Sequence, residues 1–226
     1  MGENILIFYG IAEVVPLLAT VFSFVYGIKN FFKKGKPLFL QSITMAMGCH
    51  ALGSIYHLCQ TLALGTVLQG FTPAYLGRIG FFLFFLTASY GQMDRIVDDG
   101  SPRLKPARFI ALIAPALAIV SYLPTALMKE LPLATKIALA LVWIPAIVAV
   151  YYNMKHSLMP DSDFGFIKAI KPFNIMATSL EFAELSCLLA WDFLDPVALT
   201  VTAFVFAAFC IATMITAKKG AEKWTI

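Results

Sequence analysis

Six ionisable residues lie within stretches of sequence that are otherwise apolar: Glu13, His50, His57, Arg78, Glu181 and Glu184. A charge at the centre of a membrane-spanning helix costs at least ~2.5–3.5 kcal/mol, so residues of this kind are functional candidates. Carboxylates and imidazoles in an apolar interior can carry protons, bind a cation or coordinate a metal ion. We therefore take these six residues as the candidate site for a ligand or a proton.

Helical spacing places the candidate side chains on polar faces. His50, Ser54 and His57 follow one another at i, i+4 and i+7, and Asn174 and Glu181 stand seven residues apart in a later segment. Residues with this spacing share one face of a helix. The pattern predicts that the six residues face a common cavity in the middle and outer parts of a helical bundle.

The charges within these segments do not balance, because three carboxylates face one arginine. Protonation, a histidinium or a bound cation must balance the excess negative charge. Protonation predicts proton coupling, with Glu181 and Glu184 as carriers and His50 as a relay. A bound cation would be an amine or a metal ion, and His50 with Glu184 is the candidate metal pair. No cofactor is required by the sequence, although haem on His50 or His57 remains an alternative.

Composition identifies the kind of protein that must position these residues. Of 226 residues, 60% are hydrophobic and 13% are charged, whereas soluble domains have roughly 45–50% apolar and about 25% charged residues. A soluble domain, a disordered chain and a disulfide scaffold are thereby excluded. Only helices and closed barrels satisfy the backbone in lipid, and the apolar runs are longer than barrel strands. The sequence predicts an all-α, polytopic membrane protein that forms a single integral membrane domain.

Seven stretches approach the ~20 residues that a helix needs to cross a bilayer. The fourth is the shortest and contains Pro115 and Pro124, so six spans are the main alternative to seven. The predicted spans are Ile5 to Ile28, Leu38 to Leu62, Pro73 to Met93, Phe109 to Ala126, Thr135 to Tyr152, Phe173 to Phe193 and Val197 to Ala217.

Basic residues predict the orientation of the chain. Fourteen of the 17 lysine and arginine residues follow spans 1, 3, 5 and 7. Positive charge is retained on the cytoplasmic side, which predicts an external N-terminus and a cytoplasmic C-terminus. This arrangement requires an odd number of spans and favours seven. The net charge of +4 is explained by these loops, so we expect no nucleic-acid partner.

Three proline markers recur in the same order along the chain. Pro16 and Pro145 lie within spans 1 and 5, and Pro37 and Pro172 precede spans 2 and 6. Prolines also begin spans 3 and 7. The pattern predicts a 3+1+3 organisation, with repeats at 1–98 and 133–219 and a linker helix at 107–127. In such transporters the site lies between the halves, and Pro16 and Pro145 are the candidate hinges.

In architecture the chain resembles the SWEET and PQ-loop group of seven-helix membrane proteins. The resemblance rests on the predicted external N-terminus, the prolines in spans 1 and 5, and the basic loop Phe31-Phe32-Lys33-Lys34-Gly35-Lys36. It implies seven helices in a 3+1+3 arrangement. The Pro-Gln pair of that group is absent, since Leu17 and Ala146 follow the two prolines, and no functional residue is carried over.

These features favour a transporter or permease for a small polar or cationic solute, coupled to protons through the intramembrane glutamates and histidines. Arg78 and Glu13 would form an outer gate pair. A receptor that binds a small ligand and a membrane subunit of a larger, haem-containing complex are the alternatives. An enzyme is less favoured, because no nucleophile–base pair with an orienting group is visible. We expect the plasma or inner membrane as location, with lipid, a small-molecule or ion ligand, and further copies or complex subunits as partners.

Overall fold

The computed structural model describes residues 3–64, 71–128, 130–161, 165–193 and 195–224. The described residues are helical, joined by turns and short loops, and contain no strand, which confirms the all-α prediction. We label the long helices α1 (Glu3–Phe31), α2 (Leu38–Leu64), α3 (Ala74–Leu86), α4 (Ile113–Leu123), α5 (Leu133–Leu158), α6 (Phe166–Phe193) and α7 (Pro196–Trp224).

Two of these helices continue as irregular helical segments. After α3 the chain forms a π-helical segment, Thr87–Met93, and one further α-turn, Asp94–Val97. Before α4 lie a 3₁₀ turn, Pro102–Leu104, and a short helix, Lys105–Ala111, and after it the chain forms a π-helical turn, Pro124–Met128.

The interruptions predicted in the fourth span are present at both prolines. The helix breaks at Leu112, whose amide bonds the carbonyl of Phe109 three residues back. Pro115 has no amide hydrogen for the carbonyl of Ala111 and its ring crowds that carbonyl, which explains the break. The second interruption begins at Pro124.

Six helical segments in the described part of the chain are long and apolar enough to cross a membrane: Phe8–Phe31, Leu38–Leu64, Pro102–Leu127, Leu133–Leu158, Phe166–Trp191 and Pro196–Lys223. The proline-broken fourth span is among them. The predicted third span, around α3, is not among these six segments. It carries Arg78 and the polar residues Ser89 and Gln92. The protein is thus a multi-pass helical membrane protein by length and composition, and the seventh crossing stays a prediction.

Exposure follows the pattern of a bundle surrounded by lipid. Leu18, Phe22 and Leu52 are 60% or more exposed, whereas His50 and Glu184 are fully buried. An apolar outer surface with charges inside is unfavourable in water, because it leaves large apolar patches wet. It is expected in a bilayer, where charged side chains face the bundle interior.

The long helices pack in chain order. Contacts join α1 to α2, α2 to α3, α3 to α5, α5 to α6, α6 to α7, and α7 back to α1. These contacts close a ring around a core of large side chains that includes Met47, Phe81, Phe85, Phe173 and Phe206. Helix α4 packs against α5 and α6, and many of its large side chains are exposed.

Several helices extend beyond the predicted apolar ends. Helix α6 begins at Phe166, seven residues before the predicted start, so Pro172 lies inside it and does not precede it. Lys155, expected in a loop, lies inside α5 and is only 4% exposed. Hydropathy marks where a helix leaves the hydrocarbon layer, whereas its backbone hydrogen bonds continue into the headgroup region. The observed helices are therefore longer than the predicted apolar spans.

Candidate functional site

Helices α2 and α3 cross with their backbones almost in contact. A Cβ atom on Gly77 would lie 2.5 Å from the Cys49 carbonyl oxygen and 2.7 Å from the Gly53 Cα. A Cβ atom on Gly53 would lie 2.6 Å from the carbonyl oxygen of Ala74. Small residues permit such close packing between membrane helices. Because Arg78 follows Gly77 directly, this crossing brings the guanidinium to α2.

Arg78, His50 and Glu184 form one buried contact group, which we call the buried triad. Arg78 Nη1 donates a hydrogen bond to Glu184 Oε1 at 2.7 Å and also contacts His50 Nε2. His50 Nε2 lies 3.0 Å from Glu184 Oε2. The arginine and the carboxylate compensate one another's charge, which is the condition for keeping either group in an apolar interior.

The triad offers a proton two positions on His50. When Nε2 carries the proton it donates to Glu184, and when Nδ1 carries it Nε2 can accept from Arg78. Ser54 Oγ lies 3.4 Å from Nδ1 and is available to either state. Exchange between the two states moves the imidazole hydrogen bond from the carboxylate to the guanidinium. The arrangement is therefore able to relay a proton.

Aromatic rings enclose the imidazole of His50. The ring of Phe206 is stacked on it with centroids 4.5 Å apart, and the ring of Phe81 meets it edge-on at 5.5 Å. Such packing excludes water and lowers the local dielectric constant, which strengthens each interaction within the triad.

A second contact group joins Glu13 and His57 between α1 and α2. His57 Nδ1 lies 2.9 Å from Glu13 Oε1, and Thr61 donates a hydrogen bond to the same oxygen at 3.4 Å. The indole of Trp191 packs edge-on against His57 at 5.2 Å and is stacked on Tyr9 at 5.7 Å. This group lies towards the C-terminal end of α2, the outer end in the predicted orientation.

Glu181 lies in a third environment, without a basic partner among its hydrogen bonds. Its side chain is fully buried on α6, and Asn153 Nδ2 donates a hydrogen bond to Oε1 at 2.8 Å. Within the described residues, Glu181 Oε2, Asn153 Oδ1 and both polar side-chain atoms of the buried Asn174 have no hydrogen-bond partner. Buried polar groups are normally paired, so the oxygens of Glu181 and Asn153 are able to accept a hydrogen bond or to contact a cation.

The six candidate residues thus occupy three contact groups. Arg78 pairs with Glu184, and Glu13 pairs with His57, so the expected gate pair of Arg78 and Glu13 is not formed. Sequence reasoning did not single out Asn153, the hydrogen-bond donor to Glu181. The signal that would have indicated it is its spacing. Asn153 stands four residues after Ala149 and three after Val150, both buried, and so continues the buried face of α5.

Within the described residues, no group of three or more histidine, cysteine, aspartate or glutamate side chains is arranged to hold a metal ion. His50 and Glu184, the predicted metal pair, are neighbours, but the Arg78 guanidinium occupies the position of the cation between them. Axial ligation of haem by His50 Nε2 would require its contacts with Arg78 and Glu184 to break.

The two candidate hinge prolines lie inside helices. Pro16 is in α1 and Pro145 is in α5, with Pro172 as a third example in α6. Each leaves the carbonyl four residues earlier without its helical donor and thereby permits bending. Thr20 donates to the Pro16 carbonyl at 2.8 Å.

A further set of charges, which sequence reasoning did not single out, joins the turn that follows α3 and the short helix Lys105–Ala111 to α5 at one end of the bundle. This Asp94 cluster consists of Asp94, Asp98, Arg108, Lys155 and His156. Lys155 Nζ contacts Asp94 and lies 3.2 Å from Asp98 Oδ2, and His156 Nε2 lies 2.9 Å from Asp94 Oδ1. Arg108 donates to both Asp98 oxygens, at 2.8 and 2.5 Å. The cluster fastens the loop between Val97 and Pro102 to α5.

Acidification is expected to loosen the Asp94 cluster. Hydrogen bonds from the Arg108 guanidinium hold the pKa of the Asp98 carboxyl well below its usual range. The resulting stabilisation is complete above the unfolded-state pKa of about 3.9, and is lost as pH falls further towards the folded-state pKa. Amide hydrogen exchange in residues 98–104, corrected for intrinsic rates, should therefore be faster at pH 3 than at pH 6.

The variant Asp98→Asn should show fast exchange already at pH 6, because the amide lacks the charge that pairs with Arg108 and Lys155. Asp161→Asn is the matched control, since Asp161 is exposed and lies outside the cluster. Equal corrected exchange at the two pH values in the wild type would contradict this account.

No protein-family model, curated protein or solved structure matches the chain. The resemblance to the SWEET and PQ-loop group therefore stays a prediction.

Proposed function

We propose that the protein is a membrane transporter for a small cationic or polar solute and that transport is coupled to protons through Glu181. The observation that carries this proposal is the environment of Glu181. It is a fully buried carboxyl that accepts a hydrogen bond from a neutral amide, and among the residues that the structure describes its second oxygen has no hydrogen-bond partner. A carboxyl in this environment gains from binding a proton or a cation, because its own charge is uncompensated.

The surroundings of Glu181 supply a further ligand oxygen. Within the described residues, the side-chain oxygen of Asn153 has no hydrogen-bond partner, and the amide nitrogen of the same side chain contacts Glu181. Carboxylate and amide oxygens are suitable ligands for ammonium groups and hard metal cations. The proposed substrate class, a small cation, follows from this donor set.

The buried triad has a different role in this proposal. Glu184 is already balanced by Arg78, so the charge of Glu184 is unavailable to a cationic solute. His50 relays the proton between the interior and the outer pair of Glu13 and His57. Loading and release of Glu181 change the charge of the bundle interior, and the helices bend at Pro16 and Pro145.

The ring of helices supports a two-repeat organisation of this transporter. In the repeat at 1–98, α1 contacts α2 and α2 contacts α3, and in the repeat at 133–219, α5 contacts α6 and α6 contacts α7. The remaining ring contacts, α3 with α5 and α7 with α1, join the halves. Helix α4, within the proposed linker at 107–127, packs beside the ring. Seven crossings with an external N-terminus complete the proposed topology.

Substitution of Glu181 tests the function. Proteoliposomes with internal pyranine would be exposed to ammonium, methylamine, ethanolamine, sodium or potassium, so that fluorescence reports coupled proton movement. The wild type is expected to exceed the response of protein-free liposomes for at least one of these cations, and Glu181→Gln is expected to abolish that excess, because an amide neither ionises nor attracts a cation as a carboxylate does. Glu130→Gln, at an exposed loop position, is the control and should retain the flux.

Two results would contradict the proposal. Flux through Glu181→Gln at the wild-type rate would remove Glu181 from the mechanism. A wild-type protein that moves none of the five cations would argue against a cation transporter.

A receptor is the second candidate, and the Asp94 cluster is the observation that favours it. The cluster joins the segments after α3 and before α4 to α5. It lies at the end of the bundle opposite to Glu13 and His57, since α2 and α3 run in opposite directions. A ligand bound near Glu13 could change this cluster by shifting α3. A receptor would show cation-dependent changes in Trp191 fluorescence without any flux in the same proteoliposomes.

A further inference from the structure

A polar cleft opens where the ends of α1 and α7 meet the start of α2. It has a volume of about 230 Å³, and its walls carry Asn30, Lys33, Lys36, Lys218 and Glu222. Phe31 lies at its base and is 1% exposed. The cleft is therefore polar at its rim and apolar at its floor.

The charge of the cleft is positive, because three lysines face one glutamate. Lys218 Nζ lies 3.8 Å from Glu222 Oε1, on the next turn of α7. This carboxylate offsets one of the three positive charges, and two positive charges remain. An anion of one or two negative charges would complete the cleft.

A separate apolar groove lies between the same two helices, α1 and α7. It has a volume of about 190 Å³ and is lined by Phe22, Ser23, Tyr26, Ile211, Met214 and Ile215. Phe22 and Ile211 are 60% and 41% exposed, so the groove opens to the lipid-facing surface. Its apolar lining suits part of a hydrocarbon chain.

The groove and the cleft are stacked along the helix axes. Tyr26 in the groove and Asn30 in the cleft are four residues apart on α1, which is about 6 Å. Ile215 and Lys218 are three residues apart on α7, about 4.5 Å. The ammonium group of Lys218 lies 5.9 Å from the centre of the Tyr26 ring and joins the two spaces.

We propose that this composite site binds one anionic phospholipid, with its phosphate among Lys33, Lys36 and Lys218 and one acyl chain in the groove. The site combines a positive headgroup pocket with an apolar groove open to lipid, and the two adjoin as a lipid headgroup and its acyl chain do. Lysines at a membrane surface attract anionic lipids. Soluble phosphate would fill the cleft but leave the groove unoccupied.

Lipid binding can be measured by native mass spectrometry of the detergent-solubilised protein with palmitoyl-oleoyl phosphatidylglycerol, and with the matching phosphatidylcholine as a neutral comparison. The variant Lys33→Gln/Lys36→Gln/Lys218→Gln is expected to bind phosphatidylglycerol roughly a hundredfold more weakly, since each lysine near an anionic surface contributes about fivefold. The control Lys105→Gln/Lys168→Gln/Lys171→Gln removes the same charge from exposed positions outside the cleft and should bind nearly as the wild type does.

A second pair of variants tests the groove. Ile215→Trp fills it and should weaken binding of phosphatidylglycerol, whereas Ile144→Trp places the same side chain at an exposed position on α5 and should not. Equal losses in the two lysine variants would overturn the proposal in favour of diffuse attraction. Displacement of the lipid by inorganic phosphate, together with unchanged binding in Ile215→Trp, would overturn it in favour of a soluble anion. Circular dichroism of each variant establishes that it is folded.

Discussion

Replacing Glu184 with glutamine is expected to lower the free energy of unfolding by about 3–5 kcal/mol, the loss typical of removing one partner of a buried ion pair. Glu184 is fully buried, and Arg78 donates to its Oε1 at 2.7 Å. The amide is neutral, so the Arg78 charge remains in the bundle without a counter-charge. His50 also loses the carboxylate that accepts from its Nε2 when that atom is protonated.

A double variant separates charge from shape in this prediction. Arg78→Met/Glu184→Gln removes both charges while retaining most of the side-chain volume, and it should recover much of the lost stability, because replacing a whole buried pair is often neutral. Thermal unfolding in one detergent, followed by circular dichroism, measures both variants. A single variant as stable as the wild type, or a double variant less stable than the single one, would show that the pair contributes no such energy.

Replacing Gly77 with alanine is expected to destabilise the protein by about 1–3 kcal/mol or more, which is the usual cost of overpacking. The added Cβ would lie 2.5 Å from the backbone oxygen of Cys49 and 2.7 Å from the Cα of Gly53. Neither neighbouring atom belongs to a flexible side chain, so the backbones of α2 and α3 must separate. Separation also withdraws Arg78 from His50 and Glu184.

Gly10→Ala is the matched control for this variant, because a Cβ on Gly10 would meet nothing within 4 Å. Its helix should become slightly more stable, by about 0.5–1 kcal/mol, since alanine loses less backbone entropy than glycine. The same unfolding measurement compares the two. Equal stability of Gly77→Ala and Gly10→Ala would refute close contact between α2 and α3.

The general class of the protein could be predicted from composition, because the cost of placing apolar residues in water and charges in lipid is additive along a chain. Both breaks in the fourth span could be predicted from Pro115 and Pro124, since proline acts on its own helix. Helix ends were less predictable. Lys155 lies in α5 because Asp94 and Asp98, more than fifty residues earlier, stabilise its charge inside the helix end.

In the candidate site, too, local features could be predicted from sequence and contacts between helices could not. Helical spacing identified His50 and Glu184 as polar residues on buried faces. It did not indicate that Arg78 would pair with Glu184 instead of Glu13. That choice depends on the crossing of α2 and α3 at Gly53 and Gly77, where the absence of two side chains sets the separation. Asn153 was not predicted either, because its importance comes from the hydrogen bond that it donates to Glu181 on the next helix.

The membrane-embedded helical class, the faces that carry polar groups and the six residues for which burial is costly could thus be predicted from the amino-acid sequence. These properties depend on solvation and helical periodicity, which are local. The pairing of Glu184 with Arg78, the pairing of Glu13 with His57 and the neutral amide partner of Glu181 became known from helix packing. Pairing depends on distances of about 3 Å between different helices, and such distances are set by helix packing.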